Sequence, residues 1–384
     1  MIDVKYKYNC CGCKGCLNIC AKGAITFKCD SEGFYYPHIE KEKCTNCGLC
    51  NSVCPFENNH FEEKEIDAYA CYNKDTFIRK NSSSGGIFNL LAQSILNRGG
   101  YVFGAAFDDK YNVIHMGVNN KEELIKLRGS KYVQSDLGNV YKDIENLLKK
   151  GIEVLFTGTP CQVDALKFFL RKDYNNLYTQ DVICHGVPSQ QLWHKYLNEI
   201  VKDSNILNIS FRDKKISWEE FCMTIETDKL YYSKKFMDDP YMMAFMQNIS
   251  LRPSCYKCKS KSKFRTSDIT LADFWGIDKM NYNIKDKDNG VSLMLINSPK
   301  GKIMFENIKE YIFYNKVDFE LGIKENTMLF QSVKENPSRK KFLRVINEKT
   351  IEQSIQFANK PNLYIKFKIF IYNIVKNLFS KSNI

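Results

Sequence analysis

The sequence predicts a multidomain chain of the α+β and α/β classes, in which a small cysteine-dense unit precedes larger mixed α/β domains. Three observations support this fold class. The 384 residues exceed what one small core needs, so two or three domains are expected. Cysteines crowd the first 54 positions. Between about 137 and 201, apolar runs of strand length alternate with segments of helical periodicity, which is typical of βαβ units.

The composition is that of an ordinary globular protein, with 44% hydrophobic and 26% charged residues. The net charge of +12 comes from scattered lysines, which permits an acidic redox protein, a flavin phosphate or an anionic membrane surface as a partner. No recognition motif for nucleic acid accompanies it, so nucleic acid is not expected. The N-terminus lacks the apolar segment of a signal peptide, and sixteen cysteines then favour metal or redox use over disulfides. We therefore expect a cytoplasmic protein.

The N-terminal unit, assigned to residues 1–60, carries a doubled cysteine pattern. Each half has the spacing Cys-x2-Cys-x2-Cys-x3-Cys, and Pro55 follows the second half. This is the bacterial two-cluster ferredoxin pattern, in which the fourth cysteine of each run ligates the other 4Fe–4S cluster. A pair of zinc sites is the alternative, but zinc does not require this spacing. The first ferredoxin set is Cys10, Cys13, Cys16 and Cys54, and the second is Cys20, Cys44, Cys47 and Cys50.

A third set of cysteines is expected to hold another metal centre. Cys161 follows an apolar run that ends in Gly158-Thr159-Pro160 and opens a helix, where free backbone N–H groups favour a thiolate. Cys184 ends a second strand-like run, and Cys255 and Cys258 form a Cys-x2-Cys pair. In βαβ sheets, ligands gather at the carboxyl ends of the strands. These four soft ligands suit a metal better than a nucleophile, and a structural zinc site is the alternative to an iron–sulfur cluster.

Two loops offer groups that bind anions. The loop of residues 82–86 leads into a helical segment, and a hydroxyl- and glycine-rich loop at a helix start presents N–H groups and a positive dipole end. A flexible loop with a serine N-cap is the simpler alternative for an isolated Ser-Gly run. Segment 128–135 carries two cations, two hydroxyls and an aromatic ring, which can hold a pyrophosphate and stack on rings; a solvated loop is its alternative. The candidate contacts are Ser82, Ser83, Ser84, Gly85, Gly86, Arg128, Ser130 and Lys131.

Periodicity predicts the remaining elements. Strands are expected near 68–72, 101–107, 113–118, 152–157, 177–183, 267–276 and 290–297, with strand-like runs between 206 and 232. Helices are expected over 87–96, 137–150, 162–170, 190–201 and 300–313. A packed helix is expected to carry Met242, Met243, Phe245 and Met246. Two domains are assigned to 61–145 and 146–345, followed by a basic amphipathic tail over 346–384.

The tail is rich in Ile, Phe, Leu and Tyr after Pro361 and carries lysines without acidic residues. Lys366, Lys368 and Lys376 interrupt it, so a spanning helix, which needs about 20 predominantly apolar residues, is not expected. Two alternatives stay open. The segment is either a helix lying in the membrane interface or a helix packed on the protein's own core or on a second subunit.

The leftover cysteines and the histidines receive simpler assignments. His185 adjoins a cysteine of the third set and is a candidate for tuning that centre or moving a proton. No catalytic residue is assigned, and neither a Ser-His-Asp pattern nor a Walker loop is present. Small apolar fillers are expected at Cys11, Cys29, Cys71 and Cys222. Structural or exposed roles are expected for His38, His60, His115 and His194.

Taken together, these stretches resemble the family of beta subunits of coenzyme F420 (deazaflavin) hydrogenases and dehydrogenases. The matching motifs occur in family order across about residues 10–300: the doubled ferredoxin run, 82–86, 128–134, 158–162, 184–188, 255–258 and 267–271. The resemblance implies a flavin-binding iron–sulfur oxidoreductase with FAD, and the twelve cysteines in ligand spacing predict three 4Fe–4S clusters. It also makes the loop of residues 82–86 an expected FAD contact.

The resemblance implies electron transfer between clusters and FAD, with hydride exchange to a deazaflavin-like or other soluble acceptor. Similar proteins also occur in bacterial surface-polysaccharide gene sets, so the acceptor stays open between a small molecule and a redox partner protein. The alternative function is a non-catalytic relay subunit that serves a separate enzyme. A homo-oligomer and contact with the inner face of the membrane through the tail are further expectations.

Overall fold

The computed structural model describes residues 2–58, 61–280, 282 and 284–360. Its N-terminal unit is an antiparallel hairpin flanked by short helices. The hairpin turn is fixed by Asp30, whose Oδ1 accepts from the N–H groups of Glu32 and Phe34, each at 2.9 Å. The unit contains α1 (Gly15–Ile19), β1 (Ile25–Cys29), β2 (Tyr35–Ile39), α2 (Leu49–Ser52) and α3 (Pro55–Asn58).

The rest of the described chain contributes eleven further strands, β3 to β13. Most of them confirm the predicted strands within a few residues. They are β3 (Asp67–Asn73), β4 (Tyr101–Phe107), β5 (Val113–Val118), β6 (Val154–Gly158), β7 (Leu177–Val182), β8 (Ile206–Asp213), β9 (Cys222–Thr227), β10 (Tyr231–Lys235), β11 (Ile269–Asp273), β12 (Ser292–Ile296) and β13 (Ile312–Val317).

Eleven α-helices accompany these strands in the same part of the chain. None of them has the length and the apolar character that a membrane span requires. They are α4 (Thr76–Lys80), α5 (Ile87–Leu96), α6 (Leu124–Leu127), α7 (Val140–Lys149), α8 (Pro160–Leu170), α9 (Gln190–Ile200), α10 (Pro240–Met246), α11 (Pro299–Glu306), α12 (Phe319–Ile323), α13 (Arg339–Val345) and α14 (Ile351–Asn359).

Eight strands form one large mixed sheet in the order β13-β3-β12-β11-β7-β6-β4-β5, and β8, β9 and β10 form a separate antiparallel sheet. Among the described strands, parallel pairing is confined to β4, β6, β7 and β11. The expected βαβ alternation therefore describes the centre of the sheet, and antiparallel strands extend it on both sides. The predicted helix over 300–313 is wrong in its second half, because α11 ends at Glu306 and the aromatic and β-branched run from Ile312 pairs with β3.

Helices cover both faces of the large sheet. Successive residues of a strand point to opposite faces, so Leu155 of β6 packs in the layer of α5 while Phe156 packs with α7 and α8. In the same way, β12 sends Met294 to the first layer and Leu293 to the opposite face. These strands are buried on both faces, which explains their continuous apolar runs.

The N-terminal unit packs directly on the α/β part of the chain. Asn18 of α1 donates to the Gly138 carbonyl at 2.9 Å, and Lys14 forms an ion pair with Asp136. A Cβ added to Gly15 would lie 3.8 Å from Ala165 of α8. Because α8 begins beside Cys161, this packing places the ferredoxin cysteines next to the third set.

The first part of the predicted tail packs in a core. In α14, Ile351, Ile355 and Ala358 join the cluster that includes Tyr241 and Phe245 of α10. The expected packed helix around Met242 is α10, in which Met242 and Phe245 are buried while Met246 is exposed. Residues 361–384, on which the membrane alternative depends, lie outside the described residues.

Gly301→Ala is expected to destabilise the protein by about 1–3 kcal/mol, the usual cost of forcing extra atoms into a packed interior. A Cβ at this position of α11 would lie 2.2 Å from the Asp268 carbonyl oxygen, a backbone atom just before β11. Anaerobic urea unfolding measures the effect. Gly322→Ala is the matched control, since its nearest neighbours are side-chain methyl groups at 3.3 Å. Equal unfolding free energies for both variants would contradict the close approach.

Candidate functional site

Two adjacent parallel strands position half of the third set. In the register of β6 and β7, Gly158 pairs with Asp181, and each strand is followed by a cysteine three positions beyond the paired residue. Cys161 and Cys184 therefore lie at the same sheet edge. Cys161 sits in the first turn of α8, which begins with a capping box between Thr159 and Gln162.

A second segment brings the other two cysteines to this edge. Pro188 and Leu251 form an antiparallel bridge, and the Arg252 N–H donates to the Val187 carbonyl at 2.9 Å. A 3-10 helix over Pro253–Lys257 follows and carries Cys255, with Cys258 directly after it. The structure thus brings together Cys161, Cys184, Cys255 and Cys258.

The four thiols lie close enough to change each other's pKa values. The pKa of Cys184 is raised to about 12, chiefly by burial and then by Cys161 and Cys258. Burial raises the pKa of Cys258 to about 11, with Cys161 as the next cause, and burial followed by Cys184 raises that of Cys255. Without a cation these groups are protonated at neutral pH. A metal centre replaces the protons, because a coordinated thiol is deprotonated outright.

Two cations, the half-buried Lys261 and the buried Arg265, favour negative charge at the third set. The Lys261 ammonium donates to the carbonyls of Cys184 and Met328, and it lowers the pKa values of Cys184 and Cys258 against the effect of burial. The Arg265 guanidinium is 2% exposed and acts on the same thiols in the same direction. This donor set fits a thiolate-ligated, anionic cluster.

The first ferredoxin set also converges. Burial raises the pKa of Cys16, and the thiols of Cys10 and Cys54 raise it further. A hydrogen bond with Cys11 lowers the pKa of Cys13, but burial, Cys16 and Cys54 raise it overall. Backbone N–H groups at the start of α1 and around α3 point at these sulfurs. Such N–H groups stabilise thiolate ligands and tune the potential of a cluster.

The second ferredoxin set lies nearer the surface. Cys47 is exposed and Cys20, Cys44 and Cys50 are half-buried. The Cys20 sulfur accepts from the Ala24 N–H at 3.3 Å, and the Cys50 sulfur accepts from the Ile2 N–H at 3.1 Å. Among the described residues, no three His, Cys, Asp or Glu side chains are arranged so that they could hold a single metal ion. This finding applies equally to all three cysteine sets.

Cys11 is not the apolar filler that the sequence suggested. Its thiol is within hydrogen-bonding reach of both Cys13 and Cys161, so it lies between the first ferredoxin set and the third set. The prediction is also wrong for Cys29, which is exposed at the end of β1. It is confirmed for Cys71 and Cys222, which are buried in strands.

The two candidate anion-binding loops are in contact. The Ser83 Oγ accepts from the Ser130 N–H at 2.7 Å. The hydroxyls of Ser82 and Ser84 donate to the carbonyls of Ile78 and Val291. Ser83 accepts through its oxygen and keeps its proton for another acceptor, so it is the serine of this loop best placed to bind an anion.

In the second loop, Lys131 and Tyr132 already have protein neighbours. The half-buried Lys131 ammonium donates to the carbonyls of Arg128 and Gly129, each at 3.2 Å, and burial lowers its pKa to about 7. The Tyr132 ring, expected to stack on a ligand, is stacked on Phe245 with a centroid distance of 4.8 Å.

Sequence reasoning missed Lys214, which holds the 82–86 loop. Its ammonium donates to the carbonyls of Arg79 at 2.9 Å, Ser84 at 2.6 Å and Asn289 at 2.6 Å, and burial lowers its pKa to about 7. Nearby, Arg212 forms a bidentate pair with Asp273 at the end of β11, at 2.9 and 3.1 Å. Strand-end acids and the Phe211-Arg212-Asp213 run were the available sequence signal.

Two histidines have fixed roles in polar networks. The His115 Nε2 contacts the Thr157 carbonyl at 2.9 Å and must carry the proton, so Nδ1 accepts from Ser135 at 2.8 Å. Burial lowers the pKa of His115 to about 4, and Gln162 donates to the same serine at 2.9 Å. His115 is therefore structural, as expected. His185 contacts Asn248 Oδ1 at 2.7 Å, and burial lowers its pKa.

Two surface cavities lie away from both loops. The larger, of about 350 Å³, is lined by Tyr101, Phe103, Gly117 and α7. The smaller lies between the hairpin turn of the N-terminal unit and the helices α9 and α13. Neither cavity includes a residue of the 82–86 or 128–135 loops.

Three family models match the chain. The 4Fe-4S dicluster domain matches residues 9–58, so the chain carries a ferredoxin-type iron–sulfur domain. The models for the coenzyme F420 hydrogenase/dehydrogenase beta subunit match residues 68–142 with the N-terminal part and 152–319 with the C-terminal part. Together these two cover more than half of the sequence. The chain belongs to the family of coenzyme F420 hydrogenase/dehydrogenase beta subunits, which are electron-transfer oxidoreductases.

Similar proteins include two curated archaeal proteins. A component of the F(420)H(2) dehydrogenase of Methanosarcina mazei is 20% identical over 215 residues, 53% of this chain and 60% of the relative. The coenzyme F420-dependent sulfite reductase of Methanocaldococcus jannaschii is 27% identical over 190 residues, 47% of this chain and 28% of the relative. The chain therefore spans less than two thirds of either relative.

A smaller relative and a solved structure complete the comparison. A ferredoxin of Saccharopolyspora erythraea is 32% identical over 76 residues, 18% of this chain and 72% of the relative. A xenon-derivatised F420-reducing NiFe hydrogenase complex from Methanosarcina barkeri aligns over 76% of this chain and 97% of its own, with 16% identity and a TM-score of 0.48.

Cys161→Ala is expected to remove about a third of the iron and acid-labile sulfide, because a methyl group cannot replace a thiolate ligand of one of the three expected clusters. Cys11→Ala is the matched control, since its thiol adjoins the same site but belongs to none of the three sets. Iron and sulfide per chain are measured after anaerobic purification. Full iron content in the Cys161 variant, or equal losses in both, would contradict the assignment.

Proposed function

We propose that this chain is an iron–sulfur flavoprotein oxidoreductase with three 4Fe–4S centres and FAD. The carrying observation is the convergence of Cys161, Cys184, Cys255 and Cys258 beside a two-cluster ferredoxin domain. When bound, the clusters supply one-electron transfer, and the flavin converts single electrons into a hydride.

The third set fits an iron–sulfur cluster through its charge as well as its ligands. Four half-buried thiols that raise each other's pKa values are costly to ionise unless cations compensate. Lys261 and Arg265 supply that compensation from the protein side. They do so without approaching as ligands, since the Lys261 ammonium is directed to carbonyl groups. The chain's role here is to hold the thiolates in place and to balance their charge.

The FAD proposal rests on the contact between the two loops. The hydrogen bond from Ser130 to Ser83 joins them into one surface, and α5, whose N-cap residue is Gly86, has no side-chain cap. An uncapped helix start offers N–H groups and a positive dipole end to a diphosphate. Lys131 adds a cation from the 128–135 loop. Lys214 holds the 82–86 loop in place by donating to three carbonyl groups.

Arg128 and Gly85 complete the proposed contacts in different ways. Arg128 is half-buried, and a guanidinium is suited to bidentate contact with phosphate. A Cβ on Gly85 would lie 2.7 Å from the Cys71 carbonyl oxygen. Glycine is thus required there for the loop to pass close to β3, which sets the course of the chain into α5.

The proposed small-molecule partner is a deazaflavin-like or another soluble hydride acceptor. Both curated archaeal relatives carry coenzyme F420 in their names, which supports the deazaflavin. We include surface-polysaccharide biosynthesis in this proposal as an alternative process in which the oxidoreductase acts. Turnover of purified deazaflavin and of artificial hydride acceptors by the same preparation distinguishes a specific from a general acceptor.

The second candidate is a non-catalytic relay subunit that serves a separate enzyme. It is favoured by the name of one relative, which describes it as one subunit of a dehydrogenase. Steady-state turnover by the purified single chain with artificial electron donors separates the two candidates. The oxidoreductase proposal expects turnover, whereas a relay exchanges electrons with its partner protein and reduces no small molecule by itself.

The double variant Ser83→Ala with Lys131→Ala is expected to bind FAD at least about tenfold more weakly, a loss of about 1.4 kcal/mol. The change removes one hydroxyl donor and one cation from the joined loops, and it leaves all three cysteine sets intact. Fluorescence titration of the deflavinated protein measures the dissociation constant, with iron content as an internal check.

The matched control is Ser82→Ala with Lys126→Ala. The Ser82 hydroxyl is used by the Ile78 carbonyl, and Lys126 is exposed and paired with Glu123. This control is expected to keep the affinity of the unchanged chain. If both double variants bind FAD equally well, the flavin site lies elsewhere.

A further inference from the structure

One buried cation of the α/β part of the chain contacts Cys10, a proposed cluster ligand of the N-terminal unit. Arg252, in the segment before Cys255, is 1% exposed. Its Nε donates to the Cys10 carbonyl at 2.8 Å, and its Nη2 contacts the Cys10 sulfur at 3.6 Å. The remaining donors reach Gln134 Oε1 at 3.0 Å and the Tyr35 carbonyl at 2.9 Å.

The space around this guanidinium is closed. The Tyr36 ring lies over it with a centroid distance of 4.3 Å, and the Phe34 ring follows at 5.4 Å. A Cβ on Gly12 would come within 3.0 Å of the guanidinium carbon. The glycine between Cys10 and Cys13 is therefore needed for the arginine to reach the first ferredoxin set.

Arg252 has no carboxylate counter-ion among the described residues, because no ion pair within 4.0 Å includes it. Two other buried arginines do have one: Arg212 pairs with Asp273, and Arg339 pairs with Glu32. A buried charge is stable only when it is paired and hydrogen-bonded. The groups that favour its charge are Cys10, Tyr36, Cys11 and Cys255.

We propose that the anion paired with Arg252 is the first ferredoxin cluster itself, and that Arg252 raises the reduction potential of this cluster. The inference rests on the proposed cluster ligation by Cys10, Cys13, Cys16 and Cys54. Reduction adds one negative charge to the cluster, and a fixed cation beside a ligand sulfur stabilises the reduced form.

The same residue also joins this cluster to the third set. The Cys255 N–H donates to the Arg252 carbonyl at 2.9 Å, so one residue contacts a ligand of each set. Arg252 is thus a positioning residue that holds the first ferredoxin set against the third set.

Redox titration monitored by EPR tests the proposal on the anaerobically purified full chain. Arg252→Met removes the charge and keeps an apolar side chain, and it is expected to lower the potential of one centre by at least about 59 mV, a tenfold change in a one-electron equilibrium constant. Arg252→Lys keeps a charge and is expected to shift the potential less. Arg339→Met removes another buried arginine, which pairs with Glu32 of the N-terminal unit. It is expected to leave the potential of every centre unchanged.

An unchanged potential in Arg252→Met at full iron content would overturn the proposal. A shift of the same size in Arg339→Met would do so too, because it would indicate a general effect of loosening the interface. A separate outcome is that the unchanged chain holds no iron at its first ferredoxin set. This outcome would refute the proposed ligation, and iron content alone detects it.

A measurement on the unchanged sequence covers the case in which the variants do not fold. Protein labelled with 15N-arginine and then reduced is expected to show hyperfine coupling between one cluster and a guanidinium nitrogen, because Nη2 lies 3.6 Å from the Cys10 sulfur. A spectrum without arginine coupling in protein of full iron content would also overturn the proposal.

Discussion

The pairing of β6 with β7 is the constraint on which the site depends. Because Gly158 lies opposite Asp181, the turns after both strands start level, and Cys161 and Cys184 reach the same edge. The first turn is tightly packed, since a Cβ on Gly158 would lie 2.9 Å from Gln162 Oε1. The same glutamine side chain receives the Thr159 N–H and donates to Ser135. The position of Cys161 is thus fixed from the strand, from the helix cap and from the neighbouring loop.

Buried charge connects the three cysteine sets. Burial and neighbouring thiols raise the pKa values of Cys184 and Cys258, while Lys261, Arg265 and Arg252 place positive charge beside ligand sulfurs or carbonyls. A protein that buries cations in this way needs anions to balance them. Under the proposed ligation, thiolate-ligated clusters supply that negative charge, and the cysteines and the cations stabilise each other when the clusters are bound.

The ferredoxin domain could be predicted because its cysteine spacing is local in the sequence. The closeness of the four thiols of the third set could be predicted from strand ends and a Cys-x2-Cys pair, and their ligation of a cluster is a proposal. Contacts between distant segments were not: Lys214 binds carbonyls of three separate loops, and Cys11 adjoins Cys161 only after the N-terminal unit docks. The Tyr132 ring was expected to stack on a ligand because of its chemistry alone, whereas in the structure it packs against Phe245. The strand at Ile312 was missed because a preceding helical pattern continued into it.

The central claim is that one chain holds three 4Fe–4S centres together with FAD. Native mass spectrometry of the anaerobically purified chain tests it most directly, because the mass added to the polypeptide counts each bound group in a single measurement. The account predicts an added mass equal to three cubane clusters and one FAD, in a species that loses one cluster mass when Cys161 is replaced by alanine. An added mass of two clusters alone, or of two clusters and one zinc ion, would contradict it.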